Sequence, residues 1–466
     1  MKLHRRGEDF SLQTVPKSSR TRRILDVGNL IFGMPTALVF FGTGAVLGSA
    51  FGWINLITGA AIACALVIAI AFVLVDFAAR TGLDSDLMSI VAGFGKRGSA
   101  ITSLIYSANF VILFSLEDDI IASALTGLFP EIPKMVALVG VAVLFVAVTW
   151  FGVASLNYVM GVSLPIFLIL LGASLSRTAD SPAIELSPVA PSLTGVLYCT
   201  GVLMAFVVNA TVGADIGRFL SPNRRRTGVV VISVIPQVSS FFGAVLLGYW
   251  IFTKTGLSDP GSAFVLLIGS AGLILVAASQ FRINAINLYA GSLSLSNFGR
   301  RAFGIAPGRH AWMCALAAVG TVLAVLGVYQ NILSILVFES VFVCAWVGVL
   351  VAVIWTQRLA HDRTKWDPNS APQFDGLGIA SLFLGLTVGV PASLLGNDML
   401  KGVAPILAFV SAMVLPVIVA RASKDLAAGV AIQNFRSVSR KKTVLVPSQP
   451  SGERASRAHL GIMEDS

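Results

Sequence analysis

The chain has 466 residues, of which 56% are hydrophobic and only 12% charged, with a mean hydropathy of +0.84. An ordinary soluble domain carries roughly 25% charged residues, so this composition excludes a soluble enzyme, a disordered chain and a nucleic-acid-binding domain. The net charge of +10 does not restore a nucleic-acid reading, because most of it sits in the tails: residues 1–23 hold seven basic against two acidic residues, and 422–466 seven against four.

A bilayer-spanning helix needs about 20 mostly apolar residues. In chain order such segments fall at 28–49, 52–76, 99–127, 133–153, 155–176, 193–214, 228–253, 261–289, 309–328, 331–356, 374–396 and 402–421. These twelve predict an all-α integral membrane protein. A basic tail is expected over 1–27, a spanning domain over 28–421, and a basic, disordered tail over 422–466. An even count of spans puts both tails on one side. The loops agree: those on the tail side carry thirteen basic residues, among them Arg80, Arg218, Arg301 and Arg363, and the opposite loops carry four. The positive-inside rule then makes both termini cytoplasmic in a multi-pass protein of the cell membrane.

Two spans have unusual interiors. Span one reads Gly28-Asn-Leu-Ile-Phe-Gly33-Met-Pro35-Thr36, and span six reads Phe206-Val-Val-Asn209-Ala-Thr211-Val-Gly213-Ala-Asp215. Proline removes a helical hydrogen bond, and irregular backbone at membrane depth is tolerated only against protein or a cavity. Interruptions at matching places in two halves point to a transporter of inverted repeats, here 28–176 and 193–356, with 374–421 as two further helices. Small residues also serve plain helix packing, and the pattern alone leaves that reading open. The four cysteines lie in apolar runs and the four histidines in tails, loops or a span edge. No metal spacing, cofactor motif or catalytic cluster is present, so no cofactor, no metal and no enzyme activity are expected.

Three motifs carry a resemblance. Ala79-Arg-Thr-Gly-Leu83 followed by Phe94-Gly-Lys-Arg-Gly-Ser99, Ala214-Asp-Ile-Gly-Arg-Phe219, and Asn287-Leu-Tyr-Ala-Gly-Ser-Leu293 are similar, in order and spacing, to runs of the cytosine permeases. The chain thereby resembles the nucleobase:cation symporter family over roughly residues 15–365. The resemblance implies a LeuT-like fold, a five-plus-five inverted repeat with broken helices one and six. It implies a midplane substrate site between spans one, three, six and eight. Gly33 falls at the family's break in span one, Phe206 at its ring-stacking aromatic residue in span six, and Asn284 at its span-eight amide. Asn209 lies in the polar cluster of span six. An aromatic face suits a planar heterocycle, and an amide matches its donor–acceptor edge.

The departures are informative. The family's span-three Trp falls at Leu113 and a nearby Gln at Phe110, while Glu117 stands where hydantoin-carrying relatives have an amide. The family's sodium ligands in span eight fall at Ser279, Arg282 and Ile283, of which only Ser279 offers a suitable oxygen. Arg282 brings a permanent cation. Ionisable residues inside a membrane are functional hypotheses by default. Glu117, Asp118 and Asp119 spread around their helix, so they cannot all face one cavity; Glu117 shares a face with Leu113 and Phe110. Glu339 in span ten has no evident partner. Asp215 and Arg218, three apart, suit a local ion pair or a cytoplasmic gate, and Asp76 and Arg80 a local pair.

The reading is a permease that moves a nucleobase such as cytosine or a purine, or a similar planar heterocycle, by alternating access. Arg282 would stand in for sodium, and transport would be proton-coupled through Glu117 or sodium-independent. The partners expected are this small molecule, a proton or a sodium ion, and the lipid bilayer, with no nucleic acid. The alternative is a channel-like or receptor-like membrane protein without coupled transport.

Overall fold

The computed structural model describes residues 13–22, 33–150, 153–179, 181–358 and 366–442. The start of span one and the His361-Asp362 loop with Arg363 therefore lie outside the described residues, as does the tail after 442. Among the described residues the chain is helical, with one isolated bridge between Arg22 and Leu220. Among the described residues, nine helical segments are long and apolar enough to cross a membrane, and two shorter apolar helices accompany them.

Helix α1, Leu38–Thr81, is 44 residues long, and at 1.5 Å per residue it would be about twice as long as a bilayer core is thick. Gly52, at φ 78°, breaks it into the two spans expected at 28–49 and 52–76. A Cβ would be strained at that φ. The chain continues through α2, Ala100–Leu128, α3, Lys134–Trp150, and α4, Val153–Ala179. Span six comprises α5, Leu193–Leu203, a 3-10 stretch Met204–Val207, and α6, Val208–Gly217. The irregularity thus precedes the Asn209–Asp215 cluster, which is regular helix.

Span seven also departs from expectation. It consists of α7, Arg225–Val238, a π-helical stretch Ser239–Ala244, and α8, Val245–Thr255. The segment expected as a single span at 261–289 is two helices, α9, Pro260–Ile268, and α10, Ser270–Phe303. Gly269, at φ 60°, separates them, and the spanning helix runs 14 residues beyond the expected end. Four helices follow: α11, Arg309–Val325, α12, Ile332–Arg358, α13, Gly376–Leu395, and α14, Asp398–Lys442. The last helix enters the region expected to be disordered. Residues 422–442 hold no proline and are rich in Ala, Lys and Arg, which favour helix.

Two packing arrangements position the interior. The α2–α10 pair has the most extensive contact of any two helices. The first half of α1 lies along span seven: a Cβ on Gly44 would overlap the Val245 carbonyl, and one on Gly48 would overlap the Tyr249 ring. The second half lies beside span six, with Gly59 against Cys199 and Gly217 against Val75.

Candidate functional site

The interior site forms around the start of α1. Pro35 lies in a 3-10 turn, Met34–Thr36, and Ala37 is extended at ψ 122°, so helix begins afresh at Leu38. A helix start exposes N–H groups without partners and favours an anion. Glu117 of α2 supplies one: it accepts from Val39 N at 3.0 Å and from Gln280 Nε2 at 2.5 Å, and it is fully buried. The next residue back on α10, Ser279, donates from its hydroxyl to the Thr36 carbonyl at 2.6 Å. Arg282, also fully buried, shares the Ser279 face at i, i+3. The break in span one is therefore held by α2 and α10 together.

One turn into α1, three aromatic rings converge. Phe40 lies 4.1 Å from Phe206 and 6.3 Å from Phe241 between centroids, and Phe206 meets Phe241 edge-on at 6.5 Å. Asn284 donates to the Phe114 carbonyl at 3.5 Å and accepts from Asn287 at 3.3 Å. Phe110 packs on Tyr106 at 4.8 Å and against Gly291. Leu113 is partly buried against the core. Gly33 accepts from the Thr36 hydroxyl at 2.7 Å. Glu117, Ser279, Gly33 and Phe206 thus gather around the span-one break, whereas Phe110 and Asn284 are engaged along the α2–α10 seam.

The three consecutive acids have three environments. Glu117 faces α1 and α10. Asp119 pairs with Lys134 at 2.9 Å. Asp118 is fully buried, and among the described residues its carboxyl oxygens have no hydrogen-bond partner. Its helical neighbours Phe114 and Ala122 pack towards α3 and α11, against Phe145 and Ala324. Glu339 is likewise buried, with neither oxygen hydrogen-bonded among the described residues.

At the basic end, the connection between α1 and α2 does work that the sequence reading assigned elsewhere. Asp84 caps the short helix Ser85–Ser89 by accepting from Leu87 N, and it pairs with Arg218 at 2.7 Å. Asp215 accepts from Ser85 N and Oγ, both at 2.8 Å, and from the Tyr106 hydroxyl at 3.0 Å. Asp215 and Arg218, expected as a local pair or a cytoplasmic gate, both engage the connection, which projects between span six and α2, and the Arg218 charge also acts on Asp215. Asp86 completes the layer with Arg301 at 2.6 Å, Asn297 at 2.8 Å and Ser103 at 2.5 Å. Burial pushes the Asp84 carboxyl up to about 7, with Arg218 opposing the rise and Asp215 adding to it. The Asp76–Arg80 pair is present at 2.8 Å.

Residues 13–22 strap this end. Val15 N donates to the Gly82 carbonyl at 3.0 Å, and Arg22 N to the Phe219 carbonyl at 3.1 Å. The Arg20 guanidinium donates to the carbonyls of Val15, Arg80 and Thr81 at 2.9, 2.9 and 2.6 Å, closing the C-terminus of α1. Arg20→Ala is expected to lower stability by about 2 kcal/mol. It should also speed tryptic cleavage after Lys17. Thermal unfolding in detergent and timed digestion measure the two effects.

The sequence reading did not single out Asp84, Asp86, Gln280 or Arg301. One signal was available: Asp84 and Asp86 flank a serine in a loop whose other charges are basic.

No protein-family model and no curated protein matches the sequence. Solved structures do match. An inward-facing conformation of Mhp1 is similar, with a TM-score of 0.68 at 16% identity over 89% of this chain and 93% of that one. Mhp1 in a closed conformation, described as a nucleobase-cation-symport-1 family transporter with bromovinylhydantoin bound, gives 0.62 at 16% identity over 88% and 94%. A sodium-coupled sialic acid symporter in a substrate-bound, outward-open state gives 0.51 at 15% identity over 84% and 89%. The fold is therefore LeuT-like, an all-α multi-pass membrane architecture.

Proposed function

We propose that the chain is a secondary transporter of the nucleobase:cation symporter family. Its substrate would be a nucleobase or a similar planar nitrogen heterocycle, moved by alternating access without a sodium ion. The fold shared with Mhp1 supports the transport class, and the three sequence motifs support the family. The observation that carries the coupling is the joint at the span-one break. There Ser279 donates its hydroxyl to the Thr36 carbonyl and joins span eight to the break, and Arg282 supplies a buried positive charge on the same face. A fixed cation there makes a mobile one redundant.

In this reading, Phe206, Phe40 and Phe241 present ring faces to the substrate. Asn209 supplies a polar edge from span six, Asn284 another from the α2–α10 seam, and Phe110 and Leu113 line the α2 side. Glu117 is the proton-carrying group, because a buried carboxyl can exchange a proton near neutrality and its two donors orient it at a helix start. Asp215 and Arg218, with Asp84, form the closure on the cytoplasmic side that has to open in each cycle.

Uptake of radiolabelled cytosine, uracil and hydantoin into proteoliposomes tests this. At least one is expected to accumulate equally with and without sodium, and faster under an inward proton gradient. Sodium-dependent accumulation indifferent to the proton gradient would overturn the coupling assignment.

A further inference from the structure

Span seven carries a polar stripe with no hydrogen-bond partner among the described residues. Ser233, Gln237 and Ser240 are all fully buried, and the spacing i, i+4, i+7 puts them on one face of the helix. Among the described residues, the hydroxyls of Ser233 and Ser240 and both amide atoms of Gln237 have no hydrogen-bond partner. Buried polar groups in folded proteins are almost always paired. The backbone is irregular beside Gln237, since the π-helical stretch begins two residues later. Such bulges are frequent at functional sites.

Packing register locates the stripe. Along α1, Phe40 faces Phe241, Gly44 faces Val245 and Gly48 faces Tyr249. The Met34–Thr36 turn packs against α7 and against the Ser239–Ala244 stretch that follows it, which puts Gln237, near the end of α7, beside the break of span one. Along span six, Phe206 faces Phe241 and Gly213 faces Ile232. Between those contacts, Gln237 falls level with Asn209, whose own Nδ2 is buried and unpaired among the described residues. Gln237 thus stands beside the span-one break and about level with Asn209, four residues before Phe241 of the aromatic triad.

We infer that Gln237 is a specificity-determining residue of the substrate site. Its amide would pair with a ring edge that places an N–H beside a C=O, while the Phe40, Phe206 and Phe241 rings contact the ring face. A primary amide carries one donor group and one acceptor side by side, which matches the edge of a cyclic amide, imide or ureide. Asn209 and the two serines provide further polar contacts along the same wall. This role rests on the planar-heterocycle reading of the site, but the unpaired state of Gln237 does not.

Purified full-length protein is compared with Gln237→Leu and Gln237→Met. Thermal unfolding is measured alone and with uracil, hydantoin, 1,3-dimethyluracil and 1,3-dimethylhydantoin. Replacing an unpaired buried amide by an apolar side chain of similar size removes a desolvation cost. The ligand-free variants are therefore expected to melt above the native protein, by about 1 °C or more. A glutamine with a merely structural role would give the opposite shift. The native protein is expected to bind a probe with a free N–H edge more tightly than its dimethyl form. The variants are expected to lose about tenfold or more in that affinity, and with it the discrimination. Variants that melt lower than the native protein, or that keep both affinity and discrimination, overturn the assignment. If no probe binds the native protein while the variants melt higher, the heterocycle reading fails and the unpaired polar site is supported for another ligand.

Discussion

Glu117→Ala is expected to lower stability by about 3 kcal/mol or more and to abolish uptake, whereas Glu117→Gln folds and changes the pH dependence of uptake. The alanine leaves the Val39 N–H and the Gln280 amide without their acceptor. Each unpaired buried group costs roughly 1–3 kcal/mol, and the start of α1 loses the anion that faces it. In the glutamine variant, one oxygen still accepts from Val39. The new amide group can be met by turning Gln280, whose Oε1 has no hydrogen-bond partner among the described residues. The backbone joint then survives while the titratable proton is gone. Thermal unfolding and proteoliposome uptake between about pH 5 and 8 separate the two effects. A glutamine variant whose pH profile matches the native one would remove Glu117 from the coupling role.

The second large effect is expected at the basic end. Arg218→Ala strands Asp84 in a buried site beside Asp215 and Asp86, and breaking one side of a buried pair costs about 3–5 kcal/mol. Asp84→Asn with Arg218→Ala is expected to recover much of that loss. Asparagine still caps the Ser85–Ser89 helix, and no buried carboxylate is then left facing Asp215 without its cation. A thermal-unfolding double-mutant cycle measures the coupling. Additive losses would mean that the two side chains do not act as a pair. If this layer closes the cytoplasmic side, the single variant will also expose a cysteine placed at Ser85 to a water-soluble thiol reagent in membranes.

The comparison of sequence with structure turns on which features are local. The Gly33–Pro35 break was legible because proline and glycine act on their own backbone. The α1 reversal was legible because two apolar runs met at Gly52. The division at Gly269 was missed, since α9 and α10 are both apolar and a lone glycine does not stand out in a chain with 44 of them. Glu117 was legible as a charge on a helix face. That it faces a helix start 78 residues away in sequence was not. The partners that Asp215 and Arg218 find in the α1–α2 connection were hidden for a related reason. Spacing along one helix says which of its own side chains could meet, but Asp84 and Ser85 arrive from another segment.

By itself, the sequence determined the solvent this protein lives in, its approximate number of spans, and the break at Gly33–Pro35. All three follow from composition, hydropathy and backbone stereochemistry, properties of neighbouring residues. The tertiary structure alone decided which buried groups pair: Glu117 with the start of α1, Ser279 with Thr36, Asp84 with Arg218, and Gln237, among the described residues, with nothing. Pairing in a low-dielectric interior depends on distance and orientation between helices remote in sequence, and hydropathy carries no record of either.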